Sequence, residues 1–159
     1  MMLTKITIQK IDKELKKFPD DQKQSAIIAA LQIIQTENGF LTNDLIAMAA
    51  DYLDMPKIAA MEVATFYNMF ELKPAGKYKI SICTNISCAL RDADDIVCHL
   101  KKKLKIDFNE VTKDKKFSLK ESECMGACGG APLMTVNNQK MYEYLTPQKV
   151  DQILEELDS

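Results

Sequence analysis

The sequence has 159 residues, of which 47% are hydrophobic and 28% charged, with a formal net charge of −2 at pH 7. Acidic and basic residues are mixed along the chain, which excludes the basic surface expected of a nucleic-acid-binding protein, and the size allows one domain or two small ones. No stretch approaches the roughly 20 apolar residues of a membrane-spanning helix, and charges at Lys5, Lys10 and Asp12 interrupt any signal-peptide core, so we expect no direct membrane insertion.

The N-terminal half has the periodicity of helices. Apolar residues recur there at three- and four-residue steps, which predicts four amphipathic helices. Proline, aspartate and glycine mark their predicted ends, with an aspartate expected to cap the second helix. The fourth helix is predicted to run on through the aromatic segment to Phe70. The predicted boundaries lie at Thr4, Pro19-Asp20-Asp21, Asn38-Gly39, Thr42, Pro56 and Phe70.

The period changes after Pro74-Ala75-Gly76, the clearest break in the chain. Alternating apolar residues then predict a strand that leads directly to Cys83. A helix, a short strand, a hairpin and a last helix are predicted to follow. The helix is predicted at about Ala89 to Leu104 and the short strand at Phe117 to Leu119. The hairpin is predicted to turn at Asn137-Asn138, and the last helix to begin at Thr146-Pro147.

These elements predict an α+β protein of two domains. Residues 1–74 are predicted to form a helical bundle. Residues 75–159 are predicted to form a small sheet with helices packed on it, because strands and helices alternate there.

Four of the five cysteines fall in two close pairs, Cys83 with Cys88 and Cys124 with Cys128. A disulfide framework is not expected, because thiols are kept reduced in the cytosol and an odd number leaves one over. Metal binding is therefore the leading interpretation of the two pairs.

The spacing of the pairs, C-x4-C followed at a distance by C-x3-C, favours a 2Fe–2S cluster. Such a cluster needs four thiolates, and two loops that approach from opposite sides can supply them. Structural zinc usually uses tighter C-x2-C knuckles, and the sequence contains none. Zinc binding and buried free thiols nevertheless remain open on spacing alone.

The residues around the pairs also suit a cluster. No charged residue lies between Cys83 and Cys88, or from Cys124 through Val136. A helix beginning just after Cys88 would direct its positive end at an anionic cluster. Glycines allow backbone N–H groups to approach sulfur, and three of the five surround the second pair, namely Gly126, Gly129 and Gly130.

The remaining reactive side chains do not indicate a catalytic site. Cys98 lies apart from the pairs, and we expect a buried or half-buried free thiol. His99 is the only histidine, so a Rieske centre, which needs two, is excluded, and we expect it at the surface. Nucleotide-binding glycine motifs are absent. The sequence therefore predicts an electron carrier with no catalytic residues of its own.

Three segments resemble a known family, the small thioredoxin-like 2Fe–2S subunit of the NADH-dehydrogenase module of respiratory complex I. A fourth, Gln24-Ser25-Ala26, is also similar, and the likeness spans nearly the whole chain. The three segments are Glu62-Val63-Ala64-Thr65-Phe66-Tyr67-Asn68-Met69-Phe70, Cys83-Thr84-Asn85-Ile86-Ser87-Cys88, and Glu123-Cys124-Met125-Gly126-Ala127-Cys128-Gly129-Gly130-Ala131-Pro132.

The resemblance implies a thioredoxin-like fold for the second half. It also implies that Cys83 and Cys88 bind one iron and that Cys124 and Cys128 bind the other. The chain would dock beside a flavoprotein subunit that binds FMN, NADH and a 4Fe–4S cluster, and would exchange one electron with the flavin. It would lie in the cytoplasm, peripheral to the inner membrane, among further complex I subunits.

Other interpretations stay open at this stage. The same small subunit is shared with NAD-linked hydrogenases and formate dehydrogenases. A free-standing ferredoxin and a structural zinc module with four cysteines are further alternatives. The segment around Phe66, Tyr67 and Phe70 is expected either to contact the flavoprotein or to form the buried face of the fourth helix.

Overall fold

The computed structural model describes residues 3–158, which divide into two compact units between Pro74 and Ala75. We call residues 3–74 the N-terminal unit and residues 75–158 the C-terminal unit. Each has its own buried apolar core. Within residues 3–158, no helix has the length and apolar character that crossing a membrane requires.

Residues 3–74 contain four α-helices, as predicted. Thr4 and Thr42 cap two of them, because their hydroxyl oxygens accept hydrogen bonds from the N–H groups of Thr7 and Leu45. Apolar faces of all four helices contribute to one core. The helices are α1 (Lys5–Leu15), α2 (Ile27–Asn38), α3 (Asn43–Tyr52) and α4 (Lys57–Phe66), and a 3₁₀ turn (Lys23–Ala26) precedes α2.

Two predictions for this unit are wrong. The second helix has no aspartate cap, because a turn from Pro19 to Gln22 and the 3₁₀ turn lie before it. The fourth helix ends at Phe66, because Tyr67 adopts an extended conformation with φ −87° and ψ 118°. A turn then follows in which the Phe70 N–H donates to the Tyr67 carbonyl, at 3.1 Å, and it returns Phe70 to the core.

The Tyr52 hydroxyl donates a hydrogen bond to Asp12, which links α3 to α1. This bond, followed by burial and the negative charge of Asp12, raises the pKa of Tyr52 from 10.0 to about 12. Because the folded-state pKa lies above the unfolded value, the stabilisation is complete below pH 10 and is lost as the pH rises toward 12. We expect one of the five tyrosines to ionise late in a tyrosinate absorbance titration, and Tyr52→Phe to remove that late step. An unchanged titration in the variant would contradict the assignment.

Residues 75–158 contain a five-stranded mixed sheet in the order β2-β3-β1-β4-β5. The central pair, β1 and β3, is parallel, and the other neighbouring pairs are antiparallel. The strands are β1 (Tyr78–Cys83), β2 (Glu110–Val111), β3 (Phe117–Ser122), β4 (Met134–Val136) and β5 (Lys140–Tyr142).

Helices complete the C-terminal unit and share its core with the sheet. They are α5 (Ile86–Ala89), α6 (Ala93–Leu104) and α7 (Pro147–Asp158). Apolar residues of α6 and α7 pack in one cluster with β1, β3 and β4, which follows from their three- and four-residue spacing. The prediction of a mixed helix-and-sheet fold is confirmed.

The region after the first cysteine pair differs from the prediction. The predicted helix from Ala89 is two helices, the single turn α5 and the longer α6, and Cys88 lies inside α5. Asp92 separates them because its backbone is left-handed, with φ 63°. The strand β2 was not predicted, since it has only two residues. The strand at Phe117 continues to Ser122, three residues further than predicted.

Candidate metal centre

The parallel pairing of β1 and β3 brings the two cysteine segments to one edge of the sheet. Cys83, the last residue of β1, lies opposite Ser122, the last residue of β3. The next backbone step continues this pairing, because the Thr84 N–H donates to the Ser122 carbonyl at 3.4 Å. Cys124 follows two residues after Ser122, so both pairs of cysteines begin where the parallel strands end.

Cys83 and Cys88 form a buried pair, with 2% and 1% of their surfaces exposed. Burial raises the pKa of the Cys88 thiol to about 11, and its hydrogen bond with the Cys83 thiol acts in the same direction. The backbone of Leu133 acts in the opposite direction and lowers the pKa of Cys88. A thiol with this pKa is protonated at neutral pH, so a metal that binds here would displace its proton.

Cys124 and Cys128 form an exposed pair, with their sulfurs 3.6 Å apart. A disulfide would bring the sulfurs to about 2.0 Å. Two thiolates on one tetrahedral metal, each at about 2.3 Å, are about 3.8 Å apart, so this pair has the spacing of ligands to one metal atom. Gly126 supports it, because its N–H donates to the Cys124 sulfur at 3.4 Å and its φ of +78° suits glycine.

The two pairs approach each other. The charge of Cys128 contributes to the raised pKa of Cys88. Met125 and Ala127 of the second segment pack in the same small apolar cluster as Cys83 and Cys88. Within residues 3–158, no three His, Cys, Asp or Glu side chains are grouped so as to hold a metal ion. Four thiols in two pairs are the donor set that a centre with two iron atoms requires, because each iron takes two thiolates.

The helix that approaches the centre is α6, not a helix that starts directly after Cys88. Its first residue, Ala93, is fully buried in the apolar cluster that contains Cys83 and Cys88. The start of a helix carries partial positive charge from its free N–H groups. The start of α6 therefore packs against the buried cysteines, four residues further along the chain than the predicted helix start.

Cys98 and His99 lie on α6 and are not brought into the centre. Cys98 is exposed, so the expectation of a buried or half-buried thiol is wrong. The half-buried His99 ring is 2.9 Å from the Asp151 carboxylate of α7. This contact, followed by that with Lys103, holds the pKa of Asp151 below its usual value. His99 thus has a structural partner.

Sequence reasoning missed the polar residues that flank the cysteines. Thr84, directly after Cys83, donates a hydrogen bond to Glu121 near the end of β3, and Asn85 donates one to Glu123, directly before Cys124. The one available signal was Asn85, because asparagine before a short helical turn is a preferred cap.

Residues 11–158 match the sequence pattern of the family described as thioredoxin-like [2Fe-2S] ferredoxin. The match covers more than half of the chain, so the protein belongs to this family. The resemblance inferred from the cysteine motifs is therefore confirmed, and with it the thioredoxin-like fold class and the 2Fe–2S cofactor.

Similar proteins extend this finding along the full chain. The chain is 47% identical over 165 residues to an NADH-quinone oxidoreductase subunit of Rickettsia bellii, and the alignment covers 98% of each chain. It is 44% identical to the subunit of the same name from Rickettsia conorii, with 99% of each chain covered.

A solved structure of an NAD+-reducing [NiFe]-hydrogenase in the H2-reduced state is similar in fold, with a TM-score of 0.67 and 19% identity. The match covers 80% of this chain and 22% of the hydrogenase chain. This likeness shows a shared fold.

Proposed function

We propose that this protein is the 2Fe–2S electron-transfer subunit of an NADH–quinone oxidoreductase. The observation that carries the proposal is the meeting of two cysteine pairs at the ends of β1 and β3, in a chain related along its full length to subunits of that complex. The protein is a subunit of an oxidoreductase complex. Its own chain has the role of a carrier, without catalytic residues.

We propose Cys83, Cys88, Cys124 and Cys128 as the cluster ligands, with one iron for each pair. The buried pair excludes water from one side of the site, and the Gly126 N–H donates to the Cys124 sulfur. Donors of this kind stabilise negative charge on sulfur and so influence the reduction potential. When bound, a 2Fe–2S cluster supplies one-electron oxidation and reduction.

The protein is part of a multi-subunit complex, and we propose as its partner a flavoprotein subunit that binds FMN, NADH and a 4Fe–4S cluster. In this proposal the two units are domains with different tasks, residues 75–159 carrying the cluster and residues 1–74 contributing to docking. The complex would place the chain in the cytoplasm, at the cytoplasmic face of the inner membrane and without direct insertion.

The aromatic segment after α4 supports a docking role for the N-terminal unit. Phe66 is 79% exposed, which does not fit the buried face of a helix, whereas Phe70 is 3% exposed. Tyr67 lies between them in edge-to-face contact, with ring centroids 5.1 Å from Phe66 and 6.4 Å from Phe70. An aromatic ring fixed in this way presents apolar surface at low entropic cost, as interface anchors do.

The same role in an NAD-linked hydrogenase or formate dehydrogenase is the second candidate, favoured by the fold shared with the hydrogenase chain. The full-length relatives named as NADH-quinone oxidoreductase subunits favour the first. The proteins that co-purify with this chain decide between them.

The decisive experiment is anaerobic purification from the natural source, with metal analysis, EPR and identification of the co-purifying subunits. We expect about two irons and two acid-labile sulfides per chain, an EPR signal after reduction with dithionite, and a flavoprotein among the subunits. A colourless protein with stoichiometric zinc and no EPR signal would instead support a structural zinc module.

A further inference from the structure

Side-chain hydrogen bonds join the chain between Cys83 and Cys88, the first segment, to the chain just before Cys124, the second segment. The Thr84 hydroxyl donates to the Glu121 carboxylate at 2.7 Å, and the Asn85 amide donates to the Glu123 carboxylate at 3.2 Å. Both donors follow β1, and the acceptors are Glu121, the penultimate residue of β3, and Glu123, the first residue after it. These bonds therefore connect the segment of Cys88 to the segment of Cys124.

Asn85 has two roles in this connection. Its Oδ1 accepts a hydrogen bond from the Ile86 N–H at 3.1 Å and so caps α5, the turn that contains Cys88. Its Nδ2 donates to Glu123, the residue before Cys124. The two roles fix which amide atom is oxygen, because a backbone N–H only donates and a carboxylate only accepts. One side chain thus holds the Cys88 turn and reaches the second segment.

Regular secondary structure does not fix the second segment at this point, although Met125 and Ala127 pack in the apolar cluster of the buried pair. The strand β3 ends at Ser122, and the next regular turn begins at Cys128. Cys124 is exposed, and Gly126, two residues later, has a backbone that few other residues adopt. The Glu123 carboxylate is the hydrogen-bonding group directly before Cys124 that joins this exposed residue to the first segment.

We propose that Asn85 is a positioning residue for the cluster, acting through its hydrogen bond to Glu123. This Asn85–Glu123 clasp fixes the separation between the Cys88 turn and Cys124, so that both thiol pairs meet one cluster. The inference rests on the proposed function, since it takes the four cysteines as the ligands. The Thr84–Glu121 hydrogen bond is a second connection of the same kind.

Asn85→Asp tests the clasp selectively. Aspartate caps a helix as well as asparagine does, so the bond to the Ile86 N–H is kept. The donor that faces Glu123 becomes a second carboxylate, so the clasp is lost and the two like charges repel. We expect release of iron from the holoprotein to a chelator, followed by visible absorbance, to become about threefold to tenfold faster, the range for loss of one hydrogen bond. Asn43→Asp, the same charge change at the exposed start of α3, is the matched control and should release iron at the wild-type rate.

The double variant Asn85→Asp with Glu123→Gln restores the contact with donor and acceptor exchanged. Its net charge equals that of the wild type, because one carboxylate is gained and one is lost. We expect iron release within about twofold of the wild-type rate, and recovery of the wild-type EPR line shape of the reduced cluster. Glu123→Ala, which removes the acceptor at the surface, should accelerate release as Asn85→Asp does.

Two results would overturn the proposal, namely wild-type release rates in both Asn85→Asp and Glu123→Ala, or a double variant no slower than Asn85→Asp alone. These outcomes differ from failure of the proposed function. A wild-type protein without the absorbance and EPR signal of a 2Fe–2S cluster would overturn both, whereas a normal wild type with unaffected variants would overturn the clasp alone.

Discussion

Replacement of Cys88 by alanine should yield a protein that folds but lacks the 2Fe–2S cluster. In the proposed ligand set, the iron held by Cys83 and Cys88 would lose one of its two thiolates. The position is 1% exposed, so water cannot readily take the place of the missing sulfur. The carbonyl oxygens of Asn85 and Leu133 already accept hydrogen bonds from the N–H groups of Cys88 and Cys83, and oxygen is a poorer ligand than thiolate for an iron–sulfur cluster. We therefore expect the cluster content to fall from about one per chain to almost none, because a 2Fe–2S cluster needs four protein ligands.

The measurement is visible absorbance, iron content and EPR after dithionite reduction, made on anaerobically purified protein. Cys98→Ala is the matched control, because it removes one thiol from the same unit at an exposed position outside the centre. It should keep the full cluster content. A normal spectrum in Cys88→Ala, or a bleached Cys98→Ala protein, would show that the ligand assignment is wrong.

Cys124→Ala tests whether the exposed cysteine pair differs from the buried pair in its effect on stability. The cluster should again be lost, since each iron needs both of its thiolates. Stability of the cluster-free protein should change less than in Cys88→Ala, because Cys124 is exposed whereas the Cys88 side chain packs in an apolar cluster. Unfolding of the two cluster-free variants by urea measures this difference, and equal stabilities would contradict the burial of the first pair.

The sequence predicts the helical half, the strand before Cys83, the hairpin and the final helix well, because apolar spacing directly reflects which face of each element is buried. The cysteine spacing, taken with the glycine-rich second loop and the strand before Cys83, likewise favours an iron–sulfur cluster over zinc. These features depend on residues close together in the chain, so local patterns are sufficient to find them.

What the sequence does not predict depends on backbone conformation or on pairing across the chain. The break at Asp92 requires a left-handed backbone at an aspartate, which a pattern of apolar residues does not reveal. The end of α4 at Phe66 depends on Phe70 returning to the core. The bonds from Thr84 and Asn85 to the two glutamates require the parallel register of β1 and β3, and this register is visible only in three dimensions.

Gly76→Ala should destabilise the C-terminal unit by about 2–3 kcal/mol, the cost of forcing an atom into closely packed structure. A Cβ at this position would lie 2.4 Å from the Phe117 carbonyl carbon and 2.7 Å from the Ser118 nitrogen. Those are backbone atoms of β3, and the adjacent Lys77 and Tyr78 N–H groups donate to the carbonyls of residues 115 and 116. The methyl group therefore cannot be accommodated by a side-chain rotation, and the parallel pairing of β1 with β3 must shift.

Hydrogen exchange in β1 and β3 measures this effect locally and avoids averaging over the two units. We expect protection of the central amides of both strands to fall by about 30-fold or more, the equivalent of 2 kcal/mol. Gly129→Ala is the matched control, since a Cβ added there meets no heavy atom within 4 Å among the described residues beyond Gly129 and its two chain neighbours. Equal protection in the two variants would mean that the chain before β1 does not pack against β3. The contact at Gly76 lies at one end of the paired strands, and Cys83 opposite Ser122 lies at the other. The parallel register that aligns Cys83 with Ser122 would then not depend on close packing at Gly76.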